Sequence, residues 1–129
     1  MRANEASYKA IGAALIVHSA LGPGLLESAY DKALCREFTK CGLKFRRQVR
    51  VPIEYDGVRI DNAFVADFIV ASCLVLEIKV VEKVLPVHRT QLRSYLKLLK
   101  LPLGLILNFK VAHMRHGITR VANAPESEL

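Results

Sequence analysis

The sequence predicts an α/β fold, with helices packed on a mixed sheet. Three observations carry this. Two segments of helical period open the chain. A strand-period stretch then doubles back at Asp56-Gly57 and again near Ser72. A third helix-period segment, VHRTQLRSYLKLLK (87–100), leads into the aliphatic run LPLGLILNF (101–109). The order is helix, helix, three-stranded meander, helix, strand, which needs helices layered on a sheet to bury every apolar face.

Residues 5–20 read as the first helix, with Ile11, Ala14, Leu15 and His18 at helical spacing. LGPG (21–24) breaks it. The second helix runs from near Leu25 to about Cys41, with Leu26, Tyr30, Leu34, Phe38 and Cys41 as its stripe and Gly42 as its terminating glycine. KFRRQVRVPIEY (44–55) alternates at Phe45, Val49, Val51, Ile53 and Tyr55, which is strand period. Asp56-Gly57 is a two-residue hairpin signal. Pairing Tyr55 with Val58 puts Ile53 opposite Ile60 and Val49 opposite Phe64, and makes Val58, Ile60, Phe64, Ala66, Phe68 and Val70 one core face, interrupted by Asn62. A turn at Ala71-Ser72-Cys73 pairs Val70 with Leu74, Phe68 with Leu76, Ala66 with Ile78 and Phe64 with Val80. Two independent turns thus agree on one apolar face, and such agreement specifies register. Pro86 closes the third strand, a buried strand starts near Leu103, and a short one follows at Ile118–Val121. Residues 1–122 are expected to form one domain, and NAPESEL (123–129) a flexible tail.

The same register explains the charges in DFIVASCLVLEIKV (67–80). Asp67 falls opposite Glu77, away from the core pairs, at a Cα separation of roughly 4.5–5.5 Å. Two carboxylates so placed repel, so something positive is needed between them. Lys79 lies two residues on from Glu77, on the same face. Arg46 also faces Asp67 if the first hairpin has no bulge. A divalent cation is the other way to neutralise the pair. Mg²⁺ favours one or two carboxylates with waters and phosphate oxygens, an arrangement that can activate water against a phosphodiester. A Glu-x-Lys on a strand is most often a solvated ion pair, but this face also carries Val65, Ile69, Val75 and Val81, which argues for a cleft.

Composition narrows the functional classes. Hydrophobic residues make up 52%, enough for a packed core, and the formal net charge of +7 suits a polyanionic partner. No run of eighteen apolar residues occurs, so no membrane span is expected, and the first fifteen residues lack a signal-peptide layout. Cys35, Cys41 and Cys73 form no CxxC pair, which argues against a zinc site or disulfide scaffold and fits a cytoplasmic protein. No Walker loop, GxGxxG or nucleophile elbow is present.

Two further groups stand out. In GPGLLESAY (22–30), Glu27 and Tyr30 are one turn apart, on the stripe of Leu34 and Phe38. An acid in a first turn gains about 0.3–1 kcal/mol from the helix dipole, which explains its presence but not its place on the apolar side. The other reading makes Glu27 a third carboxylate brought to a metal. In HRTQLRSYL (88–96), His88, Gln91 and Tyr95 share one flank of the leucine stripe, where they can reach a phosphate or a bound water. On spacing alone, an ordinary polar margin is the better reading. Arg89, Arg93, Lys97 and Lys100 form a basic stripe on the other flank, a solvated face first and a nucleic-acid track second.

Together these residues resemble the GxxExxY family, a compact branch of the PD-(D/E)XK nuclease superfamily. The likeness runs from Gly12 to about Asn123. It rests on Gly24-Leu-Leu-Glu27-Ser-Ala-Tyr30, on Asp67 with Glu77-Ile-Lys79, on a QxxxY motif at Gln91-Leu-Arg-Ser-Tyr95, and on VHSALGPGLLES and PVHRTQLRSYLKLL. The resemblance implies a restriction-endonuclease-like αβββαβ core. It implies Mg²⁺ or Mn²⁺ held by Glu27, Asp67 and Glu77, helped by the Ile78 carbonyl. Lys79 would orient or deprotonate the attacking water, and Gln91 and Tyr95 would support the site and contact substrate. Tyr30, His88 and Arg46 are further candidates for support. Two departures stand out: Ala66 replaces the proline before the aspartate, and Val65 stands where an arginine is expected. The function expected is a metal-dependent nuclease acting on DNA rather than RNA. The alternative is a catalytically silent nuclease-fold module that binds nucleic acid or assembles as a homodimer.

Overall fold

In the computed structural model, which describes residues 1–129, helices α1 (Ala3–Leu21) and α2 (Glu27–Lys40) precede strands β1 (Phe45–Tyr55), β2 (Val58–Val70) and β3 (Leu74–Lys79). Helix α3 (Pro86–Leu99) then leads to β4 (Leu103–Asn108) and β5 (Ile118–Ala122). The five strands form one mixed sheet in chain order. Only β3 and β4 pair in parallel, and α3 supplies the crossover that a parallel step requires. The α/β architecture is as the sequence predicts.

Each sheet face has its own core. Helices α1 and α2 cover Phe68, Val70, Leu74, Leu76, Ile78, Leu105 and Leu107. On the other side Leu92 and Leu96 of α3 meet Phe64, Ala66, Ile69, Val75 and Ile106. β3 is therefore buried on both faces, which is why it reads as a nearly continuous aliphatic run. The α1 contact face is mostly alanine (Ala3, Ala6, Ala10, Ala13, Ala14), closed by Val17 and His18. Of the expected stripe, Ala14 and His18 are buried and Ile11 packs against the core, whereas Leu15 is exposed, because small residues seat this helix closely. On α2, Tyr30, Leu34 and Phe38 are buried as expected, whereas Leu26 and Cys41 at its ends are exposed.

Asp56 and Gly57 both have positive φ, at 49° and 76°, as a type I′ turn demands. Tyr55 pairs with Val58 and Ile53 with Ile60. Beyond these the register shifts: Val51 pairs with Phe64, and Val49 with Ala66 rather than with Phe64. Pro52 has no N–H for the ladder, and Asn62 opposite turns at φ 55°, so β2 bulges outward there. Arg46 consequently faces Ile69, and Gln48 comes abreast of Asp67 in its place.

The β2–β3 ladder holds Val70 to Leu74 and Phe68 to Leu76, then ends. The predicted pairs Ala66–Ile78 and Phe64–Val80 do not form. The Ile78 N–H instead donates to Asp67 Oδ2 at 2.8 Å, and Phe64 and Ala66 turn into the α3 core. Residues 123–129 do not fray. They fold back in a short turn at Glu126–Glu128 that buries Leu129, with the Asn4 N–H on the Leu129 carbonyl and Arg120 paired to Glu126. No helix is long and apolar enough to cross a membrane.

Candidate active site

Where β2 and β3 part, the acids meet. Side chains alternate along β3, so Glu77 lies on the α3 side with Val75. It is only 9% exposed, and its Oε1 has no hydrogen-bond partner. Burial is the main cause that pushes its carboxyl up to about 9, the Asp67 charge raises it further, and the Lys79 ammonium opposes both. Asp67 is half-buried. Its carboxyl is also raised, first by burial, against the Ile78 N–H bond and Lys79 that lower it. The two acids expected face to face are therefore neighbours with Lys79 beside them, although the strand ladder itself stops one pair short.

Glu27 opens α2, following Leu26 as an extended N-cap. It is exposed, not turned into the protein as the stripe suggested. Partial burial still raises its carboxyl, followed by the charge of Asp67, while Lys79 lowers it. Glu27 thus stands within electrostatic reach of Asp67 and Lys79. No group of three or more His, Cys, Asp or Glu side chains is gathered closely enough to hold a metal ion, so the expected triad of Glu27, Asp67 and Glu77 is not closed. The donors nevertheless fit a hard divalent cation. The Glu77 Oε1 is buried without a hydrogen-bond partner beside a second acidic side chain, and such oxygen donors suit Mg²⁺.

The remaining candidates divide by role. Tyr95 is half-buried with its ring stacked on Phe64 at a centroid distance of 3.8 Å, and its hydroxyl is raised by burial and then by Glu77 and Asp67. It faces the acids. Gln91, one turn earlier, is exposed. His88 Nδ1 accepts the Leu85 N–H at 3.0 Å, so this ring caps the start of α3. Tyr30 is fully buried and stacked on Phe109 at 4.3 Å; its hydroxyl donates to the Gly22 carbonyl at 2.5 Å and accepts the Leu25 N–H at 3.1 Å. Tyr30 thus fixes the LGPG loop that precedes Glu27, and it is closed to solvent. Ile78 is buried, its amide engaged by Asp67. Arg46 is exposed opposite Ile69.

Sequence reasoning passed over four residues. Asp31, one turn beyond Glu27, is buried and paired with Arg47, and it accepts a second bond from Gln48 Nε2 at 3.3 Å. Asn108 is buried at the end of β4. Its Nδ2 donates to the Val81 carbonyl at 2.8 Å, and its Oδ1 accepts from the Val81 and Lys110 amides. With the Phe109 N–H on the Lys79 carbonyl, this pins the chain that leaves β3. The signals were faint: an acid at i+4 on a helix, and an amide closing an apolar strand.

A five-stranded mixed sheet with two acids and a lysine where two strands diverge defines the class. The family model of the PD-(D/E)XK nuclease superfamily matches residues 4–121, and the chain belongs to that superfamily. No curated protein and no solved structure matches it significantly.

Proposed function

We propose that this chain is a metal-dependent phosphodiesterase of the GxxExxY branch that hydrolyses nucleic acid, DNA ahead of RNA. The observation that carries the reading is the unpartnered Oε1 of buried Glu77 beside Asp67. Asp67 and Glu77 would hold Mg²⁺ or Mn²⁺, with Glu27 and the Ile78 carbonyl completing the set. The ion supplies Lewis-acid polarisation of the phosphodiester and a more acidic water. Lys79, as its ammonium, would orient that water and steady charge at the phosphorus as the new P–O bond forms, the water's proton passes to solvent and the P–O bond to the leaving group breaks. Tyr95 and Gln91 orient the substrate from α3.

The test uses labelled single- and double-stranded DNA and RNA, each with Mn²⁺ and with EDTA. Cutting is expected with Mn²⁺ only, on DNA more than RNA, and abolished by Lys79→Ala. Cutting that persists in Lys79→Ala contradicts the assignment. The exposed, ungathered position of Glu27 favours a second reading, a catalytically silent module that binds nucleic acid or assembles as a homodimer. That reading predicts no cutting with any metal.

A further inference from the structure

Asp31 and Glu77 are the two buried carboxylates of the chain. Asp31 has no place in the proposed chemistry, yet its surroundings are built with care. A buried charge needs a partner, and Arg47 supplies it from the first strand. Gln48, at φ 48°, turns its amide onto the other Asp31 oxygen. The Asp31 side chain is 7% exposed, but the Arg47 side chain is 43% exposed, so much of the guanidinium remains open. A guanidinium held by one carboxylate, bordered by the Cys35 thiol and still partly exposed keeps donors for a second oxyanion, because its planar fork offers five.

Arg47 lines a hollow of about 310 Å³ together with Glu27, Ser28, Asp31, Lys32 and Gln48. Glu27 is the carboxylate that reaches toward Asp67 and Lys79, so the hollow borders the proposed site. Its lining has two acids, Glu27 and Asp31, and two bases, Lys32 and Arg47. Asp31 is matched by Arg47. Neutralising Glu27 therefore leaves the hollow net positive.

We propose that this hollow is a phosphate subsite, in which Arg47, seated by Asp31 and Gln48 and flanked by Lys32, holds a backbone phosphate of the nucleic-acid strand next to the one cut. The subsite rests on the nuclease reading. It also couples two ligands: Glu27 weakens phosphate binding without abolishing it, and a cation on Glu27 would relieve that repulsion.

The test is binding of a fluorescent single-stranded DNA in EDTA across a salt series. Wild type is compared with the neutral pair Asp31→Asn/Arg47→Gln, with Glu27→Gln, and with Lys40→Gln as a control on the distal end of α2. Loss of one phosphate contact lowers the magnitude of the slope of log K against log salt by about 0.7. The neutral pair is expected to bind more weakly with a slope reduced by that amount, and Lys40→Gln to match wild type. Glu27→Gln is expected to bind more tightly than wild type without metal. Being an exposed substitution, it keeps the test decisive should the neutral pair not fold. An unchanged slope in a folded neutral pair, or Glu27→Gln binding no better than wild type, overturns the subsite. If wild type still cuts with Mn²⁺, such a result overturns the subsite alone. The expected slopes without any cutting overturn the nuclease reading alone.

Discussion

Glu77 keeps a carboxyl where water barely reaches it, and that residue sets the pH behaviour of the metal-free protein. Its folded value, about 9, lies above the 4.5 of an unperturbed glutamate. Between those values the folded chain holds a proton that the unfolded chain has released, so stability falls as pH rises, by at most about 1.4 kcal/mol per pH unit. The raised carboxyl of Asp67 acts with the same sign. Thermal melting in EDTA from pH 5 to 9 is expected to give a steadily falling Tm, and Glu77→Gln to flatten the profile and raise Tm above wild type at pH 8. A wild-type Tm that rises over this interval would contradict the assignment. Period-two alternation alone put Glu77 and Lys79 on one face, so these residues were legible in the sequence. Asp31 with Arg47 was not. Their pairing joins a helix to a strand through the local turn at Gln48, which no nearby residue announces.

Among the elements, the first turn was legible by its chemistry and the second only by the apolar pairs it aligns. Asp-Gly favours positive φ, and Ala71 and Ser72 both adopt it, at 51° and 56°. The shift at Pro52 and Asn62 was less so, since proline says only that a ladder bond is missing and not how many residues bulge. Leu15 was misplaced on α1 for a related reason: alanine carries little hydrophobic signal yet allows the closest packing. Close approach also fixes two glycines. A Cβ at Gly104 would sit 2.9 Å from the Leu92 methyls, which can shift. One at Gly117 would run into the backbone carbonyl of Asn108, which cannot, because the Gly117 carbonyl accepts the Asn108 N–H at 2.8 Å. Gly117→Ala is therefore expected to cost about 3 kcal/mol and Gly104→Ala about 1 kcal/mol, read from urea midpoints at constant m. Equal losses would show that Asn108 is not held as described. Because Asn108 pins the chain after Lys79, Gly117→Ala should weaken catalysis as well as stability.

On the scale of the whole molecule, the layers followed from local patterns, whereas the docked tail did not. Leu129 is buried against the start of α1, and only a contact across the full chain reveals it. The site is likewise a product of assembly. Asp67, Glu77 and Lys79 come from the meander, Tyr95 from the crossover helix on one face, and Glu27 from the helix pair on the other. A divalent cation held by Glu77 and Asp67 would displace the proton that burial keeps on Glu77. Calorimetric titration with Mn²⁺ at pH 7.5, in two buffers of different ionisation enthalpy, tests this directly. One saturable site is expected, with release of about one proton per ion bound and loss of both in Glu77→Gln. Binding that does not saturate, or that is the same in Glu77→Gln and releases no proton, would contradict it.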